Sequence, residues 1–214
     1  AYGAEVLLEG EVYDDTLVLV HRIEREQGKT LVHPYADPLI VAGQGTIGLE
    51  ILDDLADVEL LVVAVGGGGL ITGIALALRS ALPEVRIVGV EPEGADAVGQ
   101  SVRAGHPIVL DHPHSVADKL VAKSTETLNV ALATRYVDEF VTVSDRDLER
   151  ASYEYLESLS LLVEPSGAAP LAALRAGKVD ARGRRTVLVV SGGNATPALI
   201  ARIAAQRDQE AVRA

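Results

Sequence analysis

Glu59–Leu82 reads ELLVVAVGGGGLITGIALALRSAL, and this stretch decides the fold. Glu59–Val65 is a continuous apolar run of strand length, Gly66–Gly69 is a run of four glycines, and Leu70–Leu82 has the apolar density of a buried helix that Pro83 stops. Strand, glycine loop and helix follow one another without a spacer. A strand that is apolar at every position is buried on both faces, which is the mark of a parallel sheet covered by helices.

The same unit recurs outward from it. Arg86–Val90 (RIVGV) precedes the loop Glu91–Asp96, Glu139–Val143 (EFVTV) precedes a helix, and Arg185–Val190 (RTVLVV) precedes Ser191–Asn194 (SGGN). Ser144 and Asp147 have capping-box spacing for a helix running to about Leu159. A second helix is predicted from about Pro165 to Ala176 with Gly177 as its C-cap, and Thr46–Leu55 is predicted to be the first helix of the main domain. The alternation predicts an α/β fold, an open and mostly parallel twisted sheet with helices on both faces. Residues 1–37 read differently, as a strand piece at Ala1–Leu8, a helix near Asp15–Gln27, a strand at Lys29–Val32 and a turn at His33–Pro38. That is too little to bury a core of its own, and it reads as part of another lobe.

Composition narrows the function. The chain has 214 residues, 48% hydrophobic and 3% aromatic, with 31 acidic against 19 basic side chains and a formal net charge of −12. Without Cys, disulfides, thiolate metal sites and cysteine nucleophiles are excluded. The acidic balance and the lack of a basic patch argue against nucleic acid as a partner. The longest apolar runs are strand-sized, far short of the roughly 20 residues of a membrane span. No signal-peptide pattern opens the chain, so a cytoplasmic setting is expected, and the lack of any Met makes Ala1 a trimmed or internal start.

Four stretches can carry chemistry. Gly66–Gly69 sits at the carboxyl end of a strand with a helix behind it, so several backbone N–H groups and the helix dipole can converge on an anion such as a phosphate; a flexible turn or tight strand–helix packing explains it equally well. Neither the dinucleotide G-x-G-x-x-G nor the Walker pattern fits, so no lysine charge would join the amides. Ser191-Gly192-Gly193-Asn194 also follows a strand, where open α/β sheets gather ligands, and reads either as a hydroxyl for a ring heteroatom or as a capping turn. Glu91-Pro92 reads as a cation or ammonium ligand or as a surface carboxylate. Glu164-Pro165-Ser166-Gly167, after the apolar Leu161–Val163, reads as a first-turn helix charge or as a pocket residue.

Other features carry less. His112 and His114 have the spacing of a metal clip but lie in a polar loop with Asp111, and His21, His33 and His106 show neither triad order nor metal spacing. Asp14, Asp15, Asp53 and Asp54 read as solvated or helix-end charges.

In order along the chain, Val41-Ala-Gly-Gln-Gly-Thr-Ile-Gly-Leu-Glu50, Gly66–Gly69, Val90-Glu91-Pro92, Ser115-Val-Ala-Asp118, Glu164-Pro165-Ser166-Gly167-Ala168 and Ser191-Gly-Gly-Asn194 resemble the threonine dehydratase and serine racemase family of fold-type II, pyridoxal-phosphate-dependent enzymes. The resemblance runs from Ala1 to about Ala205. It implies a tryptophan synthase β-like fold with its N-terminal part missing, residues 1–37 being a remnant of the small domain and 38–214 the large cofactor domain.

The resemblance also implies roles. Gly66, Gly67, Gly68 and Gly69 with the Leu70 amide would form the cup for the cofactor phosphate, and Ser191, with Gly192 beside it, would hydrogen-bond the pyridine nitrogen. Glu91 and the Ala95 carbonyl match two ligands of a Mg²⁺ or Ca²⁺ site seen in some relatives, while the third ligand position falls on Ala97. Lys119 stands where the family usually has Gly, which implies a changed substrate choice or a loop turned outward. The Schiff-base lysine of the family lies in an N-terminal Ser-x-Lys-x-Arg stretch; Lys29, Lys119, Lys123 and Lys178 are the only lysines here and none has that context, so no catalytic residue is expected in this chain and the chain alone is expected to be inactive. The parent reaction implied is β-elimination of water from L-threonine or L-serine and deamination to 2-oxobutanoate or pyruvate and ammonia. The partners implied are an amino-acid substrate and a second copy in a dimer or tetramer, or a complementary N-terminal segment. A serine racemase, or a cofactor-binding module without catalysis, are the alternatives; a cysteine synthase fits the motifs less well.

Overall fold

The computed structural model describes residues 2–9 and 13–213, with the side chains of 13–15 and 206–213 left undescribed. The chain divides into two compact units at Pro34/Tyr35.

The first unit contains the helix α1, Tyr13–Gln27. The strand expected at Ala1–Leu8 is not formed over the described residues 2–8, which are irregular and exposed, and Lys29–Val32 is likewise irregular. A strand needs a neighbour for its backbone groups, and neither segment has a ladder partner among the described residues.

The second unit is the α/β domain. In chain order it contains α2 (Pro38–Asp54), β1 (Leu60–Ala64), α3 (Gly69–Ala81), β2 (Arg86–Pro92), α4 (Ala97–Ala104), a 3₁₀ turn at Asp118–Leu120, α5 (Thr127–Tyr136), β3 (Glu139–Val143), α6 (Asp145–Leu159), α7 (Pro165–Arg175), β4 (Thr186–Leu188) and α8 (Pro197–Arg213). The four strands form one parallel sheet in the order β3-β2-β1-β4. β1 lies inside the sheet and is buried at every residue, as its unbroken apolar run required.

The sheet separates two apolar layers. Leu60, Val62, Val88 and Val90 face a layer with Leu148, Ala151, Tyr155 and the small residues Ala168, Ala169, Ala172 and Ala173 of α6 and α7. Leu61, Val63 and Ile87 face the other, with Ile71, Ile74 and Leu78 of α3. Helices therefore cover both faces, and all four strands point their carboxyl ends the same way. Among the described residues no helix is long and apolar enough to cross a membrane.

Local signals explain several boundaries. Ser144 caps α6 through the Asp147 amide, and the Asp147 carboxylate accepts from the Ser144 amide, completing the expected capping box. α2 starts at Pro38 instead of Thr46, because Asp37 caps it by accepting from the Leu39 and Ile40 amides and Pro38 suits the first helical position. Gly43 and Gly45, before the expected start, are helical like Gly48 within it: a Cβ on Gly45 would lie 3.1 Å from the Gly73 carbonyl oxygen, and one on Gly48 would lie 3.0 Å from that of Ile74. They let α2 and α3 touch backbone to backbone.

Candidate functional site

β1 delivers the glycine run to the carboxyl edge of the sheet, and α3 begins at its last member. Gly68 is the N-cap with φ +95°, in the left-handed region that a side chain rarely adopts. The carbonyls of Gly67, Gly68 and Gly69 are engaged. Gly67 O accepts from Thr125 Oγ1 at 2.8 Å and from Asn129 Nδ2 at 2.8 Å, while Gly68 O accepts from Thr72 Oγ1 at 2.9 Å and from the Thr72 amide at 3.1 Å. Gly69 O accepts from Thr72 Oγ1 at 3.2 Å. In contrast, the amides of Gly67, Gly68, Gly69 and Leu70 have no acceptor among the described residues. A row of open N–H groups at a helix N-terminus, with the carbonyls tied away, has the chemistry of an anion cradle.

The other face of the loop is packed hard. A Cβ on Gly67 would enter the Tyr35 ring, one on Gly69 would lie 2.5 Å from the Tyr35 carbonyl oxygen, and one on Gly66 would lie 3.0 Å from that of Lys119. The tight-packing reading of the glycine run holds on this face, while the amides of Gly67–Leu70 stay without an acceptor among the described residues. The all-donor character of the open amides suits a phosphate.

Two further segments converge on this edge. The 118–120 turn lies against Gly66, and the Lys119 amide donates to Ser166 Oγ at 3.3 Å. The loop therefore does not turn outward; its backbone stays in the site and the long side chain leaves it, with Lys119 Nζ donating to Asp118 at 2.5 Å. That hydrogen bond, with the nearby Asp118 and Glu164 charges, raises the Lys119 pKa and keeps it an ammonium.

Ser191 and Gly192 follow β4, the neighbour of β1, so they stand at the same edge as the cradle. Ser191 is exposed and has no hydrogen-bond partner among the described residues. Gly192 packs on the start of α7: its carbonyl accepts from the Glu164 amide at 3.2 Å, and a Cβ on it would strike Glu164 Oε1. Glu164 is buried beside this loop, at the N-cap of α7.

Glu91 takes a different place from the one expected. It is 1% exposed, and its two oxygens accept from the Val98 and Gly99 amides of α4, each at 2.9 Å. Burial pushes its pKa up to about 8, against the pull of those two amides. Asp96 is engaged with Gln100 and Arg103, and no group of three or more His, Cys, Asp or Glu able to hold a metal occurs among the described residues. The Mg²⁺ or Ca²⁺ site at Glu91 and Ala95 thus has no support here; Glu91 binds the N-terminus of α4 instead. His112 and His114 lie on an exposed loop.

Sequence reasoning missed Tyr35, Thr125 and Asn129. Asn129 is fully buried and joins Tyr35 O, at 3.0 Å, to Gly67 O, a contact between residues 94 apart in the chain that no local pattern encodes. A separate cleft lined by Asp57, Glu59, Glu84 and Arg184 lies at the amino ends of the strands, away from the cradle.

Known proteins resemble this chain over most of its length. The description of the family "Pyridoxal-phosphate dependent enzyme" matches residues 1–192. An L-threonine ammonia-lyase of Thermotoga maritima is 40% identical over 201 residues, covering 94% of this chain and 50% of that protein. A catabolic L-threonine dehydratase, TdcB, of Staphylococcus aureus is 39% identical over 196 residues, covering 90% of this chain and 57% of its own length. Maize serine racemase superposes with a TM-score of 0.86 at 31% identity, covering 98% of this chain and 65% of the racemase. The chain spans about half the length of the curated relatives it matches.

Proposed function

The chain belongs to the family of pyridoxal-phosphate dependent enzymes, and from that premise we propose that it is the cofactor-holding part of an L-threonine ammonia-lyase, acting on L-threonine and L-serine to give 2-oxobutanoate or pyruvate and ammonia. The observation that carries this reading is the glycine loop with the carbonyls of Gly67, Gly68 and Gly69 tied down and the amides of Gly67–Leu70 without an acceptor among the described residues. When bound, pyridoxal phosphate supplies an electron sink that lets bonds at the amino-acid Cα and Cβ break.

This chain's residues hold and orient. The amides of Gly66–Leu70 receive the phosphate dianion at the positive end of the α3 dipole, with no lysine charge among them. The Ser191 hydroxyl, at the neighbouring strand end and without a partner among the described residues, would hold the ring nitrogen as a neutral hydrogen-bond partner. Gly192, pressed onto α7 beside Glu164, fixes the height of Ser191. None of the four lysines is assigned the covalent role: Lys119, whose backbone lies against Gly66, is committed to Asp118 as an ammonium. The isolated chain therefore binds the cofactor and does not turn over.

Titrating the 214-residue chain with pyridoxal phosphate, followed by an oxo-acid assay with L-threonine, tests both halves. Saturable binding that inorganic phosphate displaces is expected, with no 2-oxobutanoate from this chain and its release from a longer protein containing it. No binding would sink the cofactor reading, and 2-oxobutanoate from the isolated chain would sink the assignment of its lysines. The superposition with maize serine racemase favours one second reading, and D-serine formed faster than pyruvate from L-serine by the longer protein would select it.

A further inference from the structure

We propose that Asn129 and Thr125 are positioning residues that aim the cradle's amides, so that α5 and the segment before it tune the phosphate affinity of the glycine loop. The inference rests on the cofactor reading above and deepens it.

The peptide group is planar and trans, so a C=O and the N–H that follows it point in opposite directions. Fixing the Gly67 carbonyl therefore fixes the direction of the Gly68 N–H, and fixing the Gly68 and Gly69 carbonyls fixes the N–H groups of Gly69 and Leu70. Thr72, within α3, ties the latter two carbonyls by local bonds of a kind any helix start can make. The Gly67 carbonyl lies outside the helix and is held from elsewhere, by Thr125 Oγ1 and Asn129 Nδ2, each at 2.8 Å.

The two donors fill both lone pairs of this loop carbonyl from outside the loop. Four consecutive glycines lose more conformational freedom on ordering than any other sequence would, and that loss counts against phosphate affinity unless the loop is already set. Asn129 adds a second tie by donating to Tyr35 O at 3.0 Å, which holds the ring against Gly67 and closes the underside of the loop. Its Oδ1, by contrast, is buried without a partner among the described residues. A fully buried amide that uses only its donor end is unfavourable for stability alone and is explained by what that donor end holds.

The test compares pyridoxal phosphate with pyridoxal, which lacks the phosphate, in calorimetric titrations of the full chain and its variants, with thermal unfolding measured in parallel. Asn129→Leu is expected to weaken pyridoxal phosphate and inorganic phosphate binding about tenfold, and Thr125→Val about threefold to tenfold, with pyridoxal binding unchanged. Thr125→Ser, which keeps the hydroxyl, restores the affinity. Thr125→Val is the milder change and serves if Asn129→Leu does not fold. Equal losses for pyridoxal and its phosphate, or wild-type phosphate affinity in both variants, would overturn the positioning role while leaving the cofactor reading intact. No phosphate or pyridoxal phosphate binding by the unsubstituted chain would overturn both.

Discussion

The Glu91 carboxylate is packed onto the backbone of Gly99: Oε2 accepts the Gly99 amide at 2.9 Å and would lie 2.6 Å from any Cβ placed on that residue. The carboxylate takes the place that a side chain at 99 would need, and α4 begins against it.

Gly99→Ala therefore forces either the carboxylate or the helix to move. Because Phe140 Cβ would lie only 3.1 Å away on another side, relaxation is limited, and a loss of about 1–3 kcal/mol is expected. Urea unfolding checks it, and an unchanged midpoint would refute the packing argument.

The same burial makes stability depend on pH. The Glu91 pKa rises from 4.5 to about 8 in the fold, so between those values the folded chain holds a proton that the unfolded chain has released. Stability contributed by this group is full below about pH 4.5, falls as pH rises by up to about 1.4 kcal/mol per unit, and levels off above about pH 8. Unfolding midpoints across that range should show the fall, and Glu91→Gln should remove it.

Gly69→Ala tests the cradle from below. Its Cβ would meet Tyr35 backbone, which cannot swing aside as a side-chain tip would, so the loop must lift. A cost of about 1–3 kcal/mol and a loss of pyridoxal phosphate binding of about tenfold or more are expected together. Fluorescence titration of the cofactor checks the second, and undiminished binding would mean that the phosphate lies elsewhere.

Ser191→Ala removes a hydroxyl that has no protein partner among the described residues, so stability should not change. Binding of pyridoxal and of its phosphate should weaken alike, by about threefold to tenfold, since the bond lost is to the ring. An effect on the phosphate form alone would reassign Ser191.

Most of the frame was legible because it is written in local patterns. β3 matches its expected span residue for residue, and β1, α3, α6 and α7 fall within about a residue, since an unbroken apolar run, a capping box and a proline start each state their meaning within a few residues. α2 was read too short because Gly43 and Gly45 look like breakers until α3 is known to press against Gly45. α4 and α5 were not foreseen; neither N-cap, Asp96 nor Glu126, makes a side-chain capping bond, so neither helix announces its start. At the candidate site the glycine run and Ser191 stood out, while Tyr35, Thr125 and Asn129 did not, because their meaning lies in carbonyls far away in the chain.

The strand order carries a consequence for how the molecule is made. One flank of β1 pairs with β2, which follows it closely, but the other pairs with β4, and the amide of Arg185 reaches Glu59 across 126 residues. At about 5–20 residues per second, a ribosome delivers β4 on the order of ten seconds after β1 has emerged. For that interval the most apolar strand of the nascent domain has one naked hydrogen-bonding flank, and this is the point in the protein's life at which a chaperone has most to protect.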